Sequence, residues 1–239
     1  MHYFDIHSHI LPNIDDGAEN EKISAELLNM MWQQGIKSVM ATPHFYANHT
    51  TMEDFKAHIN HSLSLLNKVY NADTMPRIGM GAELFYFEGI GKSKGIKELA
   101  FQGGNYILVE LPNCPIDNKI IYDLKNISDY LGLTPILAHI ERYAKEKNFK
   151  SILNLIENKY CYAQVNATSI VNSPIKKPAL KLIKNGYIAF LGTDAHSPQG
   201  RPPELKAAYE ELEKVFDKST VDQFIHNSHI LEREIFNAG

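Results

Sequence analysis

The chain has 239 residues, 44% apolar and 22% charged, enough to bury a full core without disulfide or metal staples. Its 24 basic and 28 acidic side chains leave a formal charge of −4, so no overall basic field grips a phosphate backbone and a nucleic-acid partner is disfavoured. Cys114 and Cys161 form no C-x-x-C pair, which excludes a disulfide framework or cysteine zinc site and suits a reducing cytoplasm.

The first residues lack the basic start and apolar stretch of a signal peptide. No later apolar run approaches the ~18 residues that span a bilayer. A cytoplasmic chain without membrane insertion is expected.

Alternation and β-branched or aromatic content predict seven strands: Tyr3–Ile6, Ile36–Thr42, Arg77–Leu84, Tyr106–Leu111, Thr134–Ala138, Cys161–Asn166 and Tyr187–Leu191. After the first, Ile23, Leu27, Met30 and Met31 recur at helical spacing, predicting a helix over about Glu19–Gln34 that Gly35 closes. Helices are also predicted from Met52 to about Asn71, over Asp117–Leu131 before Gly132, and from the Ser173-Pro174 start to near Gly186. From Arg201 onward, behind Pro202-Pro203, the pattern is mostly helical.

No composition break marks a linker, so residues 1–239 read as a single domain. Strands separated by helix-length segments specify an α/β fold with parallel strands. No G-x-G-x-x-G follows the first strand, which argues against a dinucleotide-binding sheet. The expectation is a distorted seven-stranded (β/α)7 TIM-like barrel, with its chemistry at the carboxyl ends of the strands.

Those ends carry His7 and His9, His44, Glu83, Glu110, His139, Asn166, and Asp194 with His196. One such residue at one end is more often a satisfied polar group than a ligand; recurrence at six of seven ends reverses that judgement. His7-x-His9 and Asp194-x-His196 each put two side chains on one face of an extended segment. Asp15-Asp16-Gly17 follows the first pair in a loop able to bring an aspartate to the same mouth, although Asp-Gly is also an ordinary turn signal. Asp16, Glu83, Glu110 and Asp194 would gather four negative charges, which repel or force protonation unless cations sit among them. Imidazole and carboxylate without thiolate suit Mn, Fe or Zn better than Ca.

Read together, Asp5-Ile6-His7-Ser8-His9-Ile10-Leu11-Pro12 with Asp15-Asp16-Gly17, Thr42-Pro43-His44, Gly81-Ala82-Glu83, Val109-Glu110, Ala138-His139-Ile140-Glu141-Arg142-Tyr143, Gln164-Val165-Asn166, Thr193-Asp194-Ala195-His196 and Gly200-Arg201-Pro202-Pro203 resemble the PHP (polymerase and histidinol phosphatase) superfamily of metal-dependent phosphoesterases. Within it they resemble the bacterial tyrosine-protein phosphatases of capsule and exopolysaccharide machinery. The resemblance runs through nearly the whole chain and implies a PHP-type barrel. It also implies metal ligands at His7, His9, Asp16, His44, Glu83, Glu110, His139, Asp194 and His196, and substrate-site arginines at Arg142 and Arg201.

The implied cofactors are two or three divalent ions, manganese before iron or zinc, and the implied partner is a tyrosine-phosphorylated protein such as a bacterial tyrosine kinase tail. Resemblance and charge logic together assign Glu83 as a bridge, with His7, His9 and Asp194 completing one site and Glu110 and His139 a second. Asp16, His44 and His196 are assigned to a third. Arg142 and Arg201 would hold phosphoryl oxygens, and His196 is a candidate proton donor. The loop Phe45-Tyr46-Ala47-Asn48-His49 departs from the family pattern, being neutral and aromatic where relatives often carry basic residues.

A cysteine-dependent phosphatase needs Arg six positions after its Cys; Ile120 and Ala167 stand there instead. A phosphoesterase for a small phosphate monoester such as histidinol phosphate, and a non-catalytic phosphotyrosine binder, remain the alternatives. His58, His61, His226 and His229, away from the strand ends, read as surface or packing residues.

Overall fold

The computed structural model describes residues 2–171 and 173–236. It is a mixed α/β fold built on a curled parallel sheet. The strands are β1 (Tyr3–Ser8), β2 (Ile36–Ala41), β3 (His44–Phe45), β4 (Arg77–Met80), β5 (Glu83–Phe85), β6 (Tyr106–Glu110), β7 (Thr134–Leu137), β8 (Tyr162–Asn166) and β9 (Phe190–Gly192). The α-helices are α1 (Glu21–Gln33), α2 (Met52–Leu66), α3 (Asn118–Leu131), α4 (Phe149–Glu157), α5 (Ala167–Val171), α6 (Lys176–Lys184), α7 (Leu205–Glu213) and α8 (Lys218–Phe236).

Seven continuous strands were expected, and among the described residues nine segments are found in two sheets, ordered β1-β2-β4 and β3-β5-β6-β7-β8-β9. The expected strand Arg77–Leu84 is broken at Gly81-Ala82, and beyond the expected Ile36–Thr42 a further short strand, β3, follows Pro43 at the same level. Pro43 has no N–H for the ladder, while the Ala82 N–H turns aside to the Leu99 carbonyl at 3.2 Å. Past these breaks, His44 and Glu83 pair in the six-stranded sheet. Backbone bonds from Asp194 N to the His7 carbonyl (2.8 Å) and from His9 N to the Ala195 carbonyl (2.9 Å) tie the chain beyond β9 to β1.

Phe4 and Ile6 of β1 pack with Met40, Leu108, Ile136 and Phe190 of other strands and with Leu231 and Ile235 of α8. This apolar plug fills the inside of the curl at the strands' amino ends. In β1, Asp5 pairs with Val39 but Ser8 with Ala41, so three steps of β1 face two of β2. Such a bulge reverses the alternation. His7 and His9 thereby turn to the same interior as Phe4 and Ile6, above the plug.

Helix boundaries follow local chemistry. Asn20 and Asp117 accept the first free amides of α1 and α3, and Gly35 and Gly132 take the left-handed conformation that ends them. Two predicted boundaries move. α2 stops at Leu66 rather than near Asn71, and α6 starts at Lys176, because the Ser173 hydroxyl bonds Ile175 N in a turn before the helix.

Gly192 is required by close approach: a Cβ there would stand 2.8 Å from His7 Cβ and 3.0 Å from Gln164 Nε2. Gly192→Ala should cost about 1–3 kcal/mol in denaturant unfolding. Gly95→Ala, whose Cβ meets nothing within 4 Å, should stay within about 0.5 kcal/mol.

Candidate metal centre

All nine sequence-predicted ligands meet at one end of the curl. His7 Nε2 and His9 Nε2 lie 3.2 Å apart, each 3.1 Å from Glu83 Oε2, and 3.5 and 3.4 Å from Asp194 Oδ1. His139 Nε2 sits 2.9 Å from Glu83 Oε1 and 3.5 Å from Glu110 Oε1. Asp16 Oδ1 is 3.4 Å from His44 Nε2 and 3.3 Å from His196 Nε2. His44 stands between groups, its Nδ1 3.2 Å from Glu83 Oε2.

The bonds behind these atoms determine which way their lone pairs face. His9 Nδ1 bonds the Asp15 carboxylate at 2.7 Å and His7 Nδ1 the Gln164 carbonyl oxygen at 3.3 Å. Each neutral ring then turns an unprotonated Nε2 inward. Inward-facing imidazole lone pairs and carboxylate oxygens repel unless protons or cations lie between them.

Glu83 Oε2, His44 Nδ1 and His196 Nε2 are buried without a hydrogen bond despite their close neighbours; His44 and His196 group with His9 and Asp16, and Glu83 with His7, His9 and Asp194 around a centre of their own. Separations of 3.1–3.5 Å among the His7, His9, Glu83 and Asp194 donors match corners about 2 Å from that centre, an ordinary zinc–nitrogen or zinc–oxygen length. The donor set therefore fits divalent ions, and the cluster is able to bind metal.

Metal-free, the cluster balances its charge with protons. Burial opposes ionisation of Glu83 and Asp194, but His7 and the surrounding hydrogen bonds hold both carboxyls well below their usual range. Burial and the Glu83 charge push Glu110 up to about 7. Burial disfavours charge on His7 and His9, yet Glu83, Asp194 and Asp15 outweigh it and raise both. Burial and the neighbouring His9 lower His196 to about 4. The two roles expected of His196 exclude each other. Its Nδ1–H donates to the Asp194 carbonyl at 2.7 Å, leaving an unprotonated Nε2 suited to a ligand rather than an acid.

Arg142 Nη2 donates to Asp194 Oδ2 at 2.8 Å and Arg201 Nη2 to Asp16 Oδ2 at 2.9 Å. Both arginines are about two-fifths exposed and stand at the rim. Of the aromatic residues near the ligands, Tyr46 and Phe85 lie at the mouth, 5.4 Å apart. Phe45 turns into the core against Phe55, and the Tyr86 hydroxyl donates to Asp123. His58, read as a surface or packing residue, lines a cavity beside the centre.

Sequence reasoning missed the residues that aim the ligands. The Asp5 carboxylate accepts from Thr193 N (2.9 Å), Thr193 Oγ1 (2.5 Å) and His7 N (3.3 Å), bracing both ligand pairs at once. Gln164 accepts from His139 N and donates to Asn166, whose amide donates to Asp194. Gln164-x-Asn166 carried a signal, a period of two that sets both side chains on one face, whereas Asp5 carried none because the bulge that follows it reverses the alternation.

The chain matches the family described as capsular polysaccharide synthesis, CpsB/CapC, over residues 3–232. It belongs to the CpsB/CapC family. It is 32% identical over 232 residues to CapC of Staphylococcus aureus, spanning 87% of this chain and 86% of that one. It is 29% identical over 236 residues to the tyrosine-protein phosphatase CpsB of Streptococcus agalactiae, spanning 94% and 96%. A solved structure described under YwqE from Bacillus subtilis and CpsB from Streptococcus pneumoniae, metal-dependent tyrosine phosphatases, superposes with a TM-score of 0.80. The match has 24% identity over 97% of this chain and 94% of that one. The family fold is thus the fold described above.

His7 and His9 bind protons more readily folded than unfolded. The stability those protons contribute is complete below about pH 6.5 and is lost as pH rises through the raised folded values. Divalent ions take their place, so metal uptake should release protons and tighten with pH. Manganese titration of the chelator-stripped chain should give a heat that varies with buffer ionisation enthalpy and a larger thermal stabilisation at pH 8 than at pH 6. Asp15→Ala, which frees His9 Nδ1, should weaken metal affinity by about 10–100-fold in the same calorimetry.

Proposed function

We propose that this chain is a metal-dependent phosphoprotein phosphatase that hydrolyses phosphotyrosine on a protein of the capsule or exopolysaccharide machinery, a bacterial tyrosine kinase being the expected substrate. The observation that carries this reading is the buried convergence of lone-pair donors on Glu83 and Asp194 beneath two rim arginines. Membership of a capsule-synthesis family, with relatives named tyrosine-protein phosphatases, supports it.

In this reading His7, His9 and Asp194 would hold one ion and Glu110 and His139 a second, with Glu83 a ligand common to both sets. Asp16, His44 and His196 would hold a third. Manganese is the proposed metal, with iron or zinc as substitutes. Bound divalent ions supply an activated water and polarise phosphoryl oxygens.

The chain's own residues do the rest. Arg142 and Arg201, drawn in this structure to Asp194 and Asp16, present planar forks to the non-bridging oxygens. The ligand atoms of Glu83 and Asp194 lie almost fully buried below these half-exposed arginines. A phosphate on a long rigid aryl arm reaches that depth better than one on the single methylene of serine. Phenolate leaves readily, with a conjugate-acid pKa of about 10, so no dedicated acid is required and His196 serves as a ligand.

The same reading treats β2 with β3 and β4 with β5 as two bent strands. Nine segments then trace seven paths around a distorted barrel, a single phosphoesterase domain. Among the described residues no helix is long and apolar enough to cross a membrane, and a cytoplasmic site of action is proposed.

Phosphate release from a tyrosine-phosphorylated peptide should require manganese and cease with chelator. It should exceed release from histidinol phosphate; the reverse order would favour the small-molecule reading. His7→Ala with His9→Ala should strip metal, by elemental analysis, and abolish turnover. Arg201→Ala should lower kcat/KM by about 10–100-fold, the loss of one charged hydrogen bond.

A further inference from the structure

Beside the metal centre a cavity of about 320 Å³ opens between the Asp15–Asp16 loop, β3 and α2. It shares Asp16 and His44 with the proposed third ligand set, so whatever occupies the cluster borders directly on it. Ile14, Tyr46 and Phe55 supply apolar walls, and none of its lining residues is lysine or arginine. Asp15, also in its wall, is engaged by His9 Nδ1 and by the amides of Gly17 and His44.

Tyr46 stands among other rings there. Its ring lies 5.3 Å from that of His44, 5.6 Å from His49 and 5.4 Å from Phe85. Its carbonyl accepts from His49 N and Thr50 N, which closes the turn before α2. Alternation sets Tyr46 on the side of His44 and sends Phe45 between them into the core. The neutral, aromatic loop that departs from the family pattern is therefore one wall of this cavity.

Building on the phosphatase reading, we propose that this cavity is the leaving-group subsite, taking the aromatic ring of an aryl phosphate, with Tyr46 as its specificity-determining residue. A phosphate ester has an anionic end and a carbon end, and the surroundings of the cluster divide the same way. Arg142 and Arg201 stand on Asp194 and Asp16 to receive the charged oxygens, while the cavity offers an uncharged ring an aromatic face and two apolar walls. Size agrees: an apolar cavity of about 150 Å³ holds benzene, so this one admits a phenyl ring with room for the methylene that joins it to a peptide. Offset or edge contact with a held aromatic ring rewards an aryl ester over an alkyl one.

The test compares phosphotyrosine with glycerol 2-phosphate on the manganese-loaded full chain. It also follows p-cresol, the tyrosine side chain, by saturation-transfer NMR on the metal-free chain. Tyr46→Ala should cut the aryl-over-alkyl ratio of kcat/KM about tenfold, chiefly through KM for the aryl ester, with metal content retained. Tyr46→Phe should keep the ratio, and p-cresol saturation should vanish in Tyr46→Ala alone. An unchanged ratio in Tyr46→Ala, or equal loss on both esters with loss of metal, would overturn the subsite and make Tyr46 a structural prop for His44. If wild-type chain releases phosphate from neither ester, the phosphatase reading fails, and p-cresol binding decides the ring site independently.

Discussion

Buried carboxylates must be matched by positive charge, and this constraint organises the catalytic end of the molecule. Glu83 and Asp194 sit at the strand ends with almost no exposure, where an uncompensated charge would cost several kcal/mol. Imidazoles surround them, and the rims of Asp16 and Asp194 carry guanidinium groups. Protons meet the charge balance in the metal-free chain, with Glu110 held to about 7 and His7 and His9 raised. Cations meet it more completely, because an ion satisfies several lone pairs at once and a proton only two.

The backbone departs from regularity where this cluster requires it. The bulge in β1 turns His7 and His9 inward, and the breaks at Pro43 and Gly81-Ala82 carry His44 and Glu83 into the larger sheet. His139 and Asp194 both adopt positive φ, 34° and 53°, at a cost on the order of 1–3 kcal/mol each. Local bonds hold them there: His139 N donates to Gln164 Oε1, and Asp194 N to the His7 carbonyl. Strain at two candidate-ligand positions, set against an ordinary apolar plug below, marks where the fold gives up stability for geometry.

Separation of the two ends makes this workable. Phe4, Ile6, Leu108, Ile136 and the residues of α8 fill the curl at the amino ends, so the same strands anchor in apolar packing and deliver polar groups above it. Asp5 stands at the junction. Its carboxylate, raised to about 6 by burial despite bonds from Thr193 and His7, fastens β1 to β9 one layer below the ligands. The His-x-His and Asp-x-His pairs are thus set by one brace rather than by two independent loops.

The sequence by itself determined which residues meet. Alternation and strand ends are local properties, and a histidine or carboxylate at six strand ends is legible without coordinates, as are the caps at Asn20, Asp117, Gly35 and Gly132. Ile120 and Ala167, where a cysteine-dependent phosphatase needs Arg, likewise excluded that mechanism, and the charge balance disfavoured a nucleic-acid groove. Only the tertiary structure decided how the candidate ligands are aimed: that Asp15, Asp5 and Gln164 orient them, that the strand expected over Arg77–Leu84 breaks, that α2 and α6 shift by several residues, and that Tyr46 and His58 share a cavity with Asp16. These depend on hydrogen bonds and close approaches between segments distant along the chain, such as Thr193 to Asp5 and Gly192 to His7. A period of two specifies which face a residue takes, whereas the position of a neighbouring strand along its axis is set only when the whole sheet has curled.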